Sequence, residues 1–189
     1  MRFASFIVLA LGGATLAMTA SAQAAITVFG PGPAQLCYQG AEENGDPILY
    51  ITYCNEALAG ALSPGDRAAT YINRGALELS QKDNNAALDD FNAGLQINDQ
   101  LGEGYVDRGA ALIAQKQYTD ALHDIDKGLK LGTKRPEVAY YDRAFADEAL
   151  GDTSGAYRDL KQALVIRPDF TLASEDLKRF KVVVKTDGT

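Results

Sequence analysis

Tryptophan is absent from this 189-residue chain, histidine occurs once, and cysteine and methionine occur twice each. The single histidine, His123, leaves no His-rich metal site and no histidine pair for acid–base work. Two cysteines cannot make a four-thiolate zinc site, and the 17-residue separation of Cys37 and Cys54 excludes C-x-x-C redox chemistry. Basic residues are also short: 18 Lys and Arg face 25 Asp and Glu, for a net charge of −7. That balance argues against nucleic acid as a partner, because neutralising phosphates needs clustered cations. Gly30-Pro31-Gly32-Pro33 lacks the lysine and the following helix of a phosphate-binding loop. No G-x-S-x-G nucleophile elbow occurs either. The composition therefore points to a non-enzymatic protein with no cofactor and no metal.

Long apolar runs are confined to the start. In residues 1–24, Arg2 precedes an apolar stretch from Phe3 to about Met18, and small residues then lead to Ala22-Gln23-Ala24. This is the pattern of a secretory signal peptide; Gly12-Gly13, Thr15 and the lack of a basic flank weigh against a transmembrane anchor. The expected address is periplasmic or secreted, with no membrane contact after cleavage. In an exported chain an even cysteine count favours a disulfide between Cys37 and Cys54 over two buried thiols.

What the chain has in abundance is self-similarity. Residues 68–101, 102–136 and 137–169 align, with shifts of 34 and then 35 residues. Tyr71, Tyr105 and Tyr140 correspond, as do Arg74, Arg108 and Arg143. Gly75, Gly109 and Ala144 correspond, and so do Ala87, Ala121 and Ala156, then Phe91, Ile125 and Leu160. The extra residue falls in Gly132-Thr133-Lys134-Arg135, which has loop composition. Within each unit two helical patterns flank a polar turn such as Asp83-Asn84-Asn85 or Gly151-Asp152-Thr153. Glycine inside a helix costs about 1 kcal/mol relative to alanine, so its recurrence indicates two backbones in close contact.

The aromatic, the two small residues and the bulky residue, in this order and at this period, resemble the tetratricopeptide repeat family. Pro168 matches the family's closing proline only in the third unit, where Asp99 and Thr133 stand in the others; Gly94 and Gly128 replace a usual alanine. The resemblance implies an all-α, right-handed superhelical solenoid of antiparallel helix pairs. It divides the chain into a flexible leader (25–34), a degenerate helical hairpin (35–67), three repeats (68–101, 102–136, 137–169), a capping helix (170–181) and a tail (182–189). In the family the sites of Cys37 and Cys54 face each other across a hairpin, so the disulfide would staple the weak first unit. Asp66 suits the N-cap of the following helix. The last helix is expected from Pro168-Asp169 to about Lys181, with Phe170, Ala173, Leu177 and Phe180 on one face.

Arg74, Arg108 and Arg143 invite a reading as an anion-binding ladder. Asp90, Asp124 and Asp159 recur in step with them, which favours internal salt bridges, Arg74–Asp90 and its equivalents or the same set offset by one repeat. Asp124-Ile125-Asp126-Lys127-Gly128 only faintly resembles a calcium loop, its glycine being one place early and no glutamate closing it. His123 reads as a solvated side chain.

Stacked hairpins present a concave face lined by first helices. Carried over from the family, its residues are Ile72, Asn73, Ala76, Leu79 and Ser80; Glu103, Val106, Asp107, Ala110 and Ile113; and Val138, Tyr141, Asp142, Phe145 and Glu148. Ile72 and Ala76 stand where the family's carboxylate clamp has lysine and asparagine, so that clamp is not expected. The lining, an apolar floor with acidic spots, suits a peptide or amphipathic helix of a partner protein carrying basic residues. The alternative is a self-assembling structural protein, its groove and the apolar Val182-Val183-Val184 run forming a homo-oligomer interface.

Overall fold

The computed structural model describes residues 31–43 and 46–180. The expected signal peptide, most of the leader and the valine run lie outside the described residues. Nine α-helices occur among the described residues: α1 Pro33–Glu43, α2 Pro47–Ala59, α3 Pro64–Ser80, α4 Asn84–Ile97, α5 Gly102–Ala114, α6 Tyr118–Leu131, α7 Pro136–Leu150, α8 Thr153–Ile166 and α9 Thr171–Leu177. None is long and apolar enough to cross a membrane.

Local chemistry sets the boundaries. Proline opens α1, α2, α3 and α7, where its missing N–H costs nothing. Asp83 and Asp152 cap α4 and α8 by accepting the amides of Ala86 and Gly155. Gly132 and Gly151, with φ of 84° and 92°, end α6 and α7 in the left-handed conformation. Three boundaries differ from the sequence reading. Ser63, not Asp66, caps α3: its Oγ accepts the Asp66 amide at 3.1 Å and donates to the Asp66 carboxylate at 2.7 Å. Asp66 thus sits inside the first turn as the acidic half of a capping pair. The first helix begins at Pro33 and so takes in the last two residues of the expected leader. The terminal helix is shorter than expected, because Pro168-Asp169 forms a turn closed by Phe170 N–H on the Arg167 carbonyl at 3.1 Å. From Lys178 to Phe180 the amides bond three residues back rather than four, ending the α-helix at Leu177.

Successive helices pair as α1–α2, α3–α4, α5–α6 and α7–α8, and α9 packs on α8. The first helices also touch one another, α1 with α3, α3 with α5 and α5 with α7, and no contact of that extent joins second helices among the described residues. The first helices therefore form the inner layer of a solenoid and the second helices its outer layer. Glycines permit the close approach. A Cβ on Gly75 would stand 2.7 Å from the Phe91 ring, and one on Gly128 would stand 2.8 Å from the Gly102 carbonyl. Phe91 and Ile125 are fully buried, Phe91 against Gly75 and Ile125 against Gly109.

Arg74, Arg108 and Arg143 each form a forked pair within their own unit. Nε and one Nη donate to both oxygens of Asp90, Asp124 and Asp159 at 2.6–2.9 Å. The other Nη reaches the preceding unit's second helix, donating to Asn55, Asn92 and Asp126 respectively. Each guanidinium also lies 5.1–5.6 Å from the ring centroid of Tyr71, Tyr105 or Tyr140. The same residues thus bond within a unit and between units.

In the first hairpin Cys37 and Cys54, both fully buried, form a disulfide across α1 and α2. Their packing partners are few: Leu77, with Ala41, Tyr50 and Ile51 partly buried around them. Closing a loop of this length stabilises by about 3 kcal/mol in the chain-entropy treatment. Reduction is accordingly expected to melt α1 and α2 while leaving α4–α8 folded. Hydrogen exchange with and without dithiothreitol checks this; equal protection of residues 33–59 in both states contradicts it.

Candidate functional site

The inner layer carries the candidate site. Repeat-equivalent Asn73, Asp107 and Asp142 stand in a row on α3, α5 and α7, each partly exposed. Beside them a cavity of about 190 Å³ is lined by Tyr38, Ala69, Ile72, Asn73, Leu101, Glu103, Lys134 and Arg135, with Glu42 at its edge. Its floor is apolar and its rim carries both signs of charge. Arg135, from the loop before α7, donates to Asp107 Oδ1 at 3.0 Å, and Glu103 accepts the Lys134 amide at 2.6 Å.

Several residues expected to line the face are placed differently. Ile72 and Val106 are buried, at 6% and 2% exposure. Glycine in the neighbouring helices leaves hollows that these side chains fill: Ile72 fits between Gly94 and Gly104, and Val106 against Gly128. Ile72 shows only an edge to the cavity, and Val106 belongs to the core. Tyr141 is already engaged, its hydroxyl donating to Asp176 on α9 at 3.0 Å and its ring 5.3 Å from that of Phe170. Arg179 donates to both oxygens of Glu148, so the C-terminal segment covers the far end of the row. Phe145 remains 49% exposed. Tyr38, Leu101, Lys134 and Arg135 were not reached from the sequence. They come from the irregular first unit and from connecting segments, which the repeat alignment does not rank.

Two carboxylates here are held above the ordinary carboxylate range. Burial pushes Asp107 up to about 6, opposed by Arg135 and aided by Glu103 and Glu42. Burial and then the charge of Asp107 push Asp142 up to about 7, again opposed by Arg135. Away from the face, burial and Asp90 raise Glu78 to about 7 against the pull of Arg74. Unfolded, such groups release their protons near about pH 4. Between about pH 4 and 7 the folded chain therefore holds protons that the unfolded chain has lost, and stability falls as pH rises through that window. The melting temperature should decline from pH 5 to pH 8, with Asp142→Asn flattening the decline and melting higher than the parent at pH 8. Calorimetry checks this, and a melting temperature that climbs across the window contradicts it.

The outer face offers a larger hollow of about 410 Å³ between α4, α5 and α6, lined by Leu88, Asn92, Arg108, Leu112, Gln117, Asp120, His123 and Asp124. Its arginine is spent on Asp124 and Asn92. His123 is 81% exposed on its side chain. The acidic run beside it is committed too, Asp124 to Arg108 and Asp126 to Arg143.

Paired helices, the inner row of first helices and the recurrent glycine contacts define a tetratricopeptide-type solenoid. Solved structures agree. The Arabidopsis OM64 tetratricopeptide domain superposes with a TM-score of 0.59 at 24% identity, covering 62% of this chain and 96% of that one. The first such domain of Spaghetti (RPAP3), solved with the HSP90 peptide SRMEEVD, gives 0.57 at 21% identity, covering 61% and 90%. MamA gives 0.60 at 18% identity, covering 72% and 77%. No family model matches the sequence, and neither does any curated protein sequence.

Proposed function

We propose that this protein is a non-enzymatic interaction module of the bacterial cell envelope that holds a peptide or helix of a partner protein on its inner face. The observation that supports this most is the open cavity there, apolar at its floor and polar at its rim, built jointly by α1, α3, α5 and the loop before α7. Such a lining anchors an apolar side chain and orients the segment around it. The domain of Spaghetti (RPAP3) binds its HSP90 peptide on the same fold, although here Ile72 and Ala76 stand in place of the lysine and asparagine of the family's carboxylate clamp. The envelope setting rests on the signal-like residues 1–24 and on the disulfide, which suits an oxidising compartment. Photo-crosslinking groups placed at Ala69 and at Asn73 should capture one set of partners, and Asp120 on the outer face should not. Equal capture from both faces overturns the assignment.

A second reading is supported by the exposed apolar side chains toward the C-terminal end, Val165, Ile166 and Leu172. In it, copies of the chain join through that end and the inner face as a structural assembly. Sedimentation decides: a monomer at every concentration removes this reading.

A further inference from the structure

The row on the inner face carries more negative charge than the structure neutralises. Asp107 receives one hydrogen bond, from Arg135, and Asp142 receives no hydrogen bond from any described residue. Both carboxylates feel that one guanidinium, while Glu103 and Glu42 add further negative charge around Asp107. Two acids on adjacent inner helices, only one of them bonded to a cation, leave an excess charge in a partly desolvated place, where a second cation gains most. Arg135 shows what the place accepts: a planar guanidinium reaching in from the rim, with its Nη2 3.0 Å from the Asp107 carboxylate. Arg135 also lines the apolar cavity, so the acid pair and the cavity share a border.

We propose that Asp107 and Asp142 together receive an arginine or lysine side chain of the bound segment, while the adjoining cavity takes a bulky apolar side chain beside it. This rests on the reading of the inner face as a peptide site, and it specifies the partner: a basic–apolar peptide segment, opposite in charge to an acidic chain terminus. Arg135 occupies half of the receiving site in the free protein and competes with the incoming cation. Charged groups facing the pair are Glu103, Glu42 and Arg135, with Tyr141 next to Asp142 on α7. As pH falls from 8 to 6, the pair takes up protons and the attraction for a cation weakens.

The probe is a fluorescein-labelled dodecapeptide holding two leucine–arginine pairs in a Gly-Ser background. Its control carries citrulline, neutral but of the same shape, in place of each arginine. Binding is followed by anisotropy and by amide shifts of the nitrogen-15-labelled protein. The arginine peptide should shift Asn73, Asp107 and Asp142 and bind about tenfold more tightly at pH 8 than the citrulline peptide, which is about 1.4 kcal/mol. Asp142→Asn should remove most of that advantage, Arg135→Gln should enlarge it, and Asp120→Asn, the same charge change on the outer face, should leave it intact. The advantage should shrink toward pH 6. If both peptides shift the inner face equally and Asp142→Asn changes nothing, the cation site is wrong and the groove stands. Shifts confined to other surfaces, or none at millimolar peptide, overturn the groove as well.

Discussion

Replacing Arg108 with alanine is expected to destabilise the protein by about 3–5 kcal/mol, because it strands a buried charge. Asp124 is only 5% exposed on its side chain and takes both strong bonds of its carboxylate from Arg108 at 2.6 and 2.8 Å. Without the guanidinium, the carboxylate must stay charged with no partner or take up a proton. The same substitution removes the bond to Asn92 on α4 and the stacking on Tyr105, so it also loosens the second repeat from the first. In a solenoid, stability is close to a sum of unit and interface contributions, so one change that touches both has an outsized effect. At about 2–4 °C per kcal/mol for a chain near this size, the melting temperature should fall by roughly 10 °C. Double replacement, Arg108→Met with Asp124→Leu, should recover most of the loss, since neither charge then remains to be buried. Urea denaturation of the three proteins measures this; a loss below 1 kcal/mol in the single variant would mean that the forked pair is idle.

Phe91→Ala should cost a similar amount, about 3–5 kcal/mol, through a different cause. The ring is fully buried on α4, between Gly75 of α3 and a cluster that includes Ile72, Leu95 and Tyr105. Truncation leaves a hollow that the rigid helix pair cannot close. Leucine, which holds the equivalent place in the third repeat as Leu160, should cost only about 1 kcal/mol. Gly75→Ala alone meets the ring at 2.7 Å and must push it aside. Combined with Phe91→Leu, that methyl gains room, so the pair should lose less than the sum of its parts. Strict additivity in denaturant titrations would show that Gly75 and Phe91 are not packed as described.

The two cases differ in how readily the sequence showed them. Phe91, Ile125 and Leu160 recur at the repeat period beside small residues, and such recurrence is how a helix contact writes itself into a chain. Asp90, Asp124 and Asp159 recur with the arginines in the same way. Nothing comparable marks Arg135. It lies in the four-residue stretch where the period slips by one, and its bond to Asp107 crosses 28 residues. Ile72 and Val106 illustrate the opposite difficulty. Their places in the repeat pointed to the open face, but Gly94, Gly104 and Gly128 left vacancies that drew them inward. A shift of an ångström or two in backbone spacing changes which side chain fills a gap, and periodicity does not record spacing that fine.

Composition, charge and repeat order by themselves determined the helix pairs, their number and sequence, the small and bulky residues at the contact within each repeat and the absence of any recognisable catalytic motif. All of these follow from the preferences of short segments and from repetition, which a linear chain displays directly. Only the tertiary structure decided which side chains remain open on the inner face, that α9 occupies Tyr141, and that Arg135 reaches across to Asp107 while Asp142 keeps no bonded cation among the described residues. Those outcomes depend on distances between distant segments and on how much water the packing expels, and both come into being only when the layers close.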